Sequence, residues 1–420
     1  ELSTNLELGI RYDIPGVQKS SYFEAWNVQR WKSGIERKVH HPEIPFITLP
    51  STICTLHAVL SQSCPQSPWA VVTALAAQIG FEMYPPTVLL HLKLGLLLSL
   101  ASQGRNQSPV PVLAVGTDTL AAHQLLNNAS HLAQRRVSVN SQSLWGPLQG
   151  TSHLDEQGKN WLEAGALLLS STGVCFLGDW TKFKSANLYS PVLSAIESGK
   201  VTITTQKLGV PGPSIKFPLQ CAVWTYQYWS PELKANEQSK LQTLIDVFGM
   251  PFLADLGNEA DIVTHHILQR AINCGKNLNK PYYIVPTAEL QEFLAMVTTQ
   301  PVKLTDKASQ LIQDYFVASR RLRSQYLPVG AISTITALSE AHASLRMRSV
   351  VNCEDVAMVL YLYEMSMMAL FGPCYVTPPP ELQTLDTEDL PLQVNLIYLK
   401  ASKLIACIRF IKLKRINKEC

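Results

Sequence analysis

The chain has 420 residues, 46% of them apolar and 16% charged, which is enough for two or three domains or one large core with a satellite, and excludes wholesale disorder. A formal charge of +3 supplies no global basic field, so any contact with nucleic acid has to come from local lysines and arginines. Nine cysteines lie scattered without CxxC pairs or the Cys/His spacing of a zinc site, which reads as buried thiols in a reducing compartment rather than a disulfide framework.

The opening, ELSTNLELGI, carries neither the basic segment nor the apolar run of a secretory signal. A start on Glu1 rather than Met reads as a piece of a longer protein. Residues 1–50 are expected to hold short extended segments separated by turns. A helical region follows from Trp69 to Ala101, broken at Pro85-Pro86. Its most apolar run, Val88 to Ala101, is shorter than the ~20 residues a membrane helix needs and carries His91 and Lys93, so it reads as a buried helix.

A polar stretch from Ser102 leads into the apolar run Pro111–Val115 and then Gly116-Thr117-Asp118-Thr119, a strand, a loop and the start of a helix. Ala166–Leu169, a turn at Ser170–Gly173, and Val174–Asp179 give a second buried strand that ends in an acid. Lys200–Thr205 alternates by twos and predicts a hairpin strand, with Gly209 and Pro211-Gly212-Pro213 at or beyond its tip. Leu219–Tyr226 is a third short strand. Such alternation with helices predicts an α/β domain with a mainly parallel sheet.

From Leu304 to Phe371 the pattern is helical, in three stretches at 305–325, 329–347 and 353–370, with Asn352 or Asp355 opening the third. Pro373 and Pro378–Pro380 end the fold, and 375–420 is expected to be an irregular or alternative tail. The pairs and clusters Arg135-Arg136, Arg320-Arg321-Arg323 and Arg346-Arg348 read as solvated helix faces.

A strand that runs through a glycine-containing loop into a helix is where nucleotide-binding folds place phosphate, because loop amides and the helix N-terminus present free N–H groups. Here the loop reads Gly116-Thr-Asp-Thr-Leu-Ala-Ala-His-Gln124. The motif GxxxxGK[ST] would want glycine, lysine and a hydroxyl at Ala121, Ala122 and His123, and none is present. On its own this is an ordinary strand-to-helix turn. The adjacent pairs His40-His41 and His265-His266 have no third ligand at a useful spacing, so no metal is expected. Ser339, Glu340 and His342 are explained by a helix rather than a catalytic triad.

The segment WLEAGALLLSSTGVCFLGDWTK, Trp161 to Lys182, resembles the stretch LEAGALVLADxGVCxIDEFDK of the minichromosome maintenance (MCM) family. In the same order, Met83–Ser102 is similar to the family's helix beginning IYGHE, and the Gly116 loop to its phosphate loop GDPGTAKSQ. Leu304–Arg320 and Leu338–Met365 are similar to its C-terminal helices. The resemblance spans residues 70–371. It implies an AAA+ type, P-loop-like α/β core at 70–260, a connection at 261–303 and a helical lid at 304–371, with 1–50 as the end of an OB-fold region and its linker.

Carried over residue by residue, the resemblance implies a motor without its chemistry. Gly116 opens the phosphate loop, but its second glycine falls on Thr119, its lysine on Ala122 and its magnesium-binding hydroxyl on His123. The family's acidic pair reads Gly178-Asp179. The arginine finger falls on Val247, the lid arginine on Gly330 and the sensor asparagine near Tyr228. In phosphoryl transfer the finger alone is worth ~10³ to 10⁵ in rate.

The resemblance therefore implies a non-enzyme with no cofactor, and a DNA-contacting lysine at Lys207, where Lys207-Leu-Gly-Val210 matches the family's KAGI segment; counting from the start of the strand places it on Thr205 instead. It further implies a nuclear protein of meiotic recombination and double-strand break repair. The expected partners are DNA, single-stranded DNA included, and other recombination or MCM-like proteins, with no membrane. The alternatives are a DNA-stimulated ATPase or helicase subunit completed by partner subunits, and a protein scaffold without DNA affinity.

Overall fold

The computed structural model describes residues 49–63, 67–104, 108–139, 148–154, 160–182, 186–207, 210–230, 232, 235–272, 285–322, 327–328 and 330–372, together with five short strands before residue 38. Those strands are β1 to β5, at Tyr12–Asp13, Gly16–Lys19, Tyr22–Ala25, Gln29–Arg30 and Ile35–Arg37. There follow α1 (Ser51–Ser63), α2 (Ala70–Ala77), α3 (Leu90–Ala101), β6 (Val112–Gly116), α4 (Thr119–Ser130) and β7 (Arg135–Ser138). Next come β8 (Gly150–Leu154), β9 (Asn160–Ala164), the single turn α5 (Ala166–Leu169), β10 (Val174–Asp179) and α6 (Ala186–Ser198). The hairpin of β11 (Lys200–Lys207) and β12 (Val210–Pro218) leads to β13 (Ala222–Tyr228), α7 (Ala235–Phe248) and β14 (Pro251–Leu253). The C-terminal part holds α8 (Ala260–Ile272), α9 (Thr287–Thr299), β15 (Lys303–Leu304), α10 (Asp306–Leu322), α11 (Ala331–Leu345), β16 (Val350–Val351) and α12 (Cys353–Phe371). The expected tail at 375–420 lies outside the described residues.

Six strands form the central sheet in the order β14-β6-β13-β10-β7-β5. The first five are parallel, and β5 closes the edge antiparallel to β7. All five residues of β6 are buried, as a strand covered on both faces requires. Alternation along the strands sends Val112, Ala114, Val174, Phe176 and Trp224 into one core with α2, α3, α4, α9 and the C-terminal helices. Leu113, Val115, Cys175, Leu177 and Val223 enter a second core with α6 and α7. Among the described residues no helix is long and apolar enough to cross a membrane.

The ring of Phe252 packs directly against the backbone of α3. A Cβ on Gly95 would stand 2.2 Å from Cε1 of Phe252 in β14, so only glycine lets the two elements meet. Nearby, the Trp224 indole donates to Ser99 Oγ at 2.9 Å, and that hydroxyl donates to Val110 O at 2.6 Å. Both polar groups are thereby satisfied in a dry interior. Lys93 in α3 is fully buried and donates to Pro85 O at 2.7 Å. Burial pushes its ammonium down to about 7, against the pull of Glu259.

Some sequence expectations are corrected. Ala166–Leu169, ahead of the second buried strand, is one helical turn. Arg135 and Arg136 lie in β7, not on a helix, and Arg136 is buried. Arg346 is no solvated residue, since its guanidinium reaches Asp355 Oδ1 at 2.9 Å. Among the described cysteines Cys175 and Cys221 are buried, Cys353 is half-buried and Cys54 is exposed.

Asn352 and Asp355 together open α12 as a capping box, and Asp355 is the hub of the lid. It accepts from Arg346, from the Asn352 amide at 2.9 Å and from His342 Nδ1 at 2.9 Å. Burial pushes the Asp355 carboxyl up, but these donors outweigh it and hold the group down at about 2. Burial also pushes the His342 imidazole down, and its Nε2 is enclosed without a partner, so His342 is neutral in the fold. Both shifts act in one direction. The unfolded chain binds a proton at each group that the folded chain resists, so stability falls with pH, first below His342's usual 6.5 and then below Asp355's usual 3.8. His342→Asn, measured by urea denaturation between pH 3 and 7.5, is expected to flatten the first part of that slope and to shrink the acid part without abolishing it, since the Asn352 amide and Arg346 still hold Asp355 down.

Candidate nucleotide site

In open parallel sheets ligands bind at the carboxyl ends of the strands, which here are the ends of β6, β10 and β13. Gly116 closes β6. A Cβ there would lie 2.0 Å from Ala254 O, so its glycine is required by the chain leaving β14. Beyond it no open loop follows. Thr119 already starts α4, its amide donating to Thr117 O at 3.1 Å and that of Ala122 to Asp118 O at 3.0 Å. The stretch that would wrap a phosphate is wound into helix, and two of its amides are used by its own carbonyls.

What remains of the turn is tied to the segment after β14. Asp118 Oδ2 accepts from the Leu256 amide at 2.7 Å. Asp255 Oδ1 accepts from the Thr117 hydroxyl at 3.0 Å and from the Gly257 amide at 3.1 Å. The Asp118–Leu256 and Thr117–Asp255 contacts join residues 138 apart in the chain. Sequence reasoning missed both acids. Asp118, standing immediately before a helix start, was the one available signal; Asp255 offered none.

The other expected site positions are spread over the molecule. Ala122 is 2% exposed and belongs to the core over the sheet. The His123 ring packs against Phe176 and Tyr226, with centroids 5.5 and 5.7 Å away. Burial, with Lys182 and Arg136 adding repulsion, pushes its imidazole down, and Nδ1 is enclosed without a partner. Gly178 sits at a break in the β10–β13 register with φ +78°, and its carbonyl accepts from Thr225 Oγ1 at 2.8 Å. Asp179 is spent on the next turn: its Oδ1 accepts from the amide and hydroxyl of Thr181 at 3.0 and 2.8 Å. Burial and the Asp179 charge together raise the Tyr226 phenol.

Val247 and Gly330 are brought together, but not here. Both line a cleft of about 1010 Å³ that also takes in Ser108–Pro111 ahead of β6 and Leu219 and Cys221 ahead of β13. The cleft therefore lies at the amino ends of the strands, the opposite edge of the sheet from Gly116 and Asp179. Tyr228 stands beside the loop, in register with Gly116 and 48% exposed. Lys207 ends β11, its backbone paired with Val210; its side chain lies outside the described residues. Among the described residues no cluster of three or more His, Cys, Asp or Glu is arranged to hold a metal ion.

A family model for the MCM P-loop domain matches residues 71–250, the stretch that contains β6 through α7. The chain is 28% identical over 351 residues to minichromosome maintenance domain-containing protein 2 of Rattus norvegicus, covering 76% of this chain and 50% of that protein. Against the protein of the same name from Homo sapiens it is 27% identical over 354 residues, with 76% and 50% covered. With DNA helicase MCM8 of Homo sapiens it shares 23% over 335 residues, 67% of this chain and 40% of that protein. The chain is thus similar to the minichromosome maintenance family, most clearly over residues 71–250. It spans about half the length of the minichromosome maintenance domain-containing proteins it matches.

A carboxylate cannot simply be restored at 178. A Cβ on Gly178 meets nothing within 4 Å, but a side chain at φ +78° strains the backbone by about 1 kcal/mol. Gly178→Asp is therefore expected to fold, to lose about that much stability in urea denaturation, and to gain no ATP turnover.

Proposed function

We propose that the chain is a non-catalytic MCM-family protein of the nucleus that supports meiotic recombination and double-strand break repair by holding DNA, single-stranded DNA included, or other recombination and MCM-like proteins. The observation that carries this reading is the closed turn at Gly116. Its residues run directly into α4, Ala122 is sealed in the core where the resemblance places a lysine, and the turn is tied to the segment after β14. A γ-phosphate there meets neither a cation nor a cradle of amides. The meiotic role rests on the family resemblance of the sequence.

A partner subunit can lend an arginine across an interface, but it cannot lend a lysine inside α4. That counts against an ATPase completed by its neighbours. Asp179 sits where a water-polarising acid would be wanted, yet its carboxylate caps the turn at Thr181. Contact with DNA is assigned to the β11–β12 hairpin, whose described outer residues Thr202, Thr204, Ser214 and Lys216 are exposed and include no acid, and which carries Lys207 at the end of β11.

Fluorescence anisotropy with labelled single-stranded DNA at several salt concentrations tests the reading, alongside an ATP turnover assay with and without that DNA. Binding is expected to weaken with salt. Lys207→Ala is expected to weaken it further and to lower the log–log slope by about 0.7, the value for one phosphate contact. Turnover is expected to stay at background. DNA-stimulated turnover would contradict the non-catalytic reading, and absent or salt-insensitive DNA binding would leave only a protein scaffold.

A further inference from the structure

The backbone at Leu256 and Gly257 has the form of an anion receptor. Leu256 is right-handed, with φ −79° and ψ −27°, and Gly257 follows it with a positive φ of +46°. That alternation turns successive amides toward one side and makes a concavity that binds oxyanions. Both amides are occupied. The Leu256 amide is held by Asp118 Oδ2 at 2.7 Å and the Gly257 amide by Asp255 Oδ1 at 3.1 Å.

We propose that Asp118 and Asp255 are the protein's internal anionic ligand: their carboxylates fill the receptor at Leu256–Gly257, clasp the turn after β6 to the segment after β14, and keep inorganic and nucleotide phosphates out. This rests on the non-catalytic reading of the same site and supplies its physical cause. Loss of a lysine weakens phosphate binding; an occupied receptor abolishes it, because an entering phosphate must displace charge-assisted hydrogen bonds and face two like charges at short range.

The clasp is tightened from both sides. The Thr117 hydroxyl donates to the same Asp255 oxygen at 3.0 Å. The Ala254 amide donates to Val115 O at 2.7 Å, so the segment carrying Asp255 and Leu256 extends the pairing of β14 with β6.

Hydrogen–deuterium exchange of the full chain and of Asp118→Ala tests this, with magnesium pyrophosphate as the phosphate probe. The Leu256 amide is expected to exchange about tenfold faster in the variant, the loss of one hydrogen bond to a charged group, with β10 amides unchanged. Pyrophosphate is expected to leave wild-type exchange at Thr117–Ala122, Leu256 and Gly257 as it was. Equal Leu256 exchange in both proteins, or protection of the wild type by pyrophosphate, would overturn the clasp. If Asp118→Ala does not fold, Asp255→Ala provides the same comparison at the Gly257 amide. Pyrophosphate protection without ATP turnover would reject the clasp and spare the non-catalytic reading, whereas turnover would reject that reading itself.

Discussion

Between Gly116 and Ala254 there is no room for a side chain, and this contact sets the terms for the whole carboxyl edge of the sheet. It brings the chain leaving β14 against the chain leaving β6. Asp255 and Leu256 then face Thr117 and Asp118, and the four residues satisfy one another. A glycine that the sequence presents as the opening of a phosphate loop is used instead for backbone packing. Once that packing is made, α4 starts at Thr119, which leaves Thr117 and Asp118 as the turn between strand and helix.

The two edges of the sheet have consequently parted company. At the carboxyl edge the turn is closed, His123 is neutral and packed on aromatic rings, and Asp179 caps its own turn. At the amino edge Val247 and Gly330 share a roomy cleft between the core and the C-terminal helices. The helices that bound it are held by buried polar contacts, from Asp355 with His342 and Arg346 within the lid to the Ser366 hydroxyl, which donates to Pro251 O of β14. The scaffold that resembles an MCM P-loop domain is thus joined to the C-terminal helices by packing and buried hydrogen bonds.

The fold class was legible because its strands are apolar runs that alternate with helices. Pro111–Val115 in the sequence becomes Val112–Gly116, Val174–Asp179 is found as read, and the three C-terminal helices fall at Asp306–Leu322, Ala331–Leu345 and Cys353–Phe371. What periodicity missed is short or charged. β14 is only Pro251–Leu253. β7 begins with two arginines, and Ala166–Leu169 is too brief for its apolar run to distinguish strand from helix. The clasp was illegible for another reason, since Asp118 shows its partner at Leu256 only after folding brings two distant segments together.

One measurement decides whether the turn after β6 is closed to nucleotide. Isothermal titration of magnesium-ATP into the full chain tests it most directly. No saturable heat is expected at any attainable ATP concentration; stoichiometric, magnesium-dependent binding would contradict a closed turn.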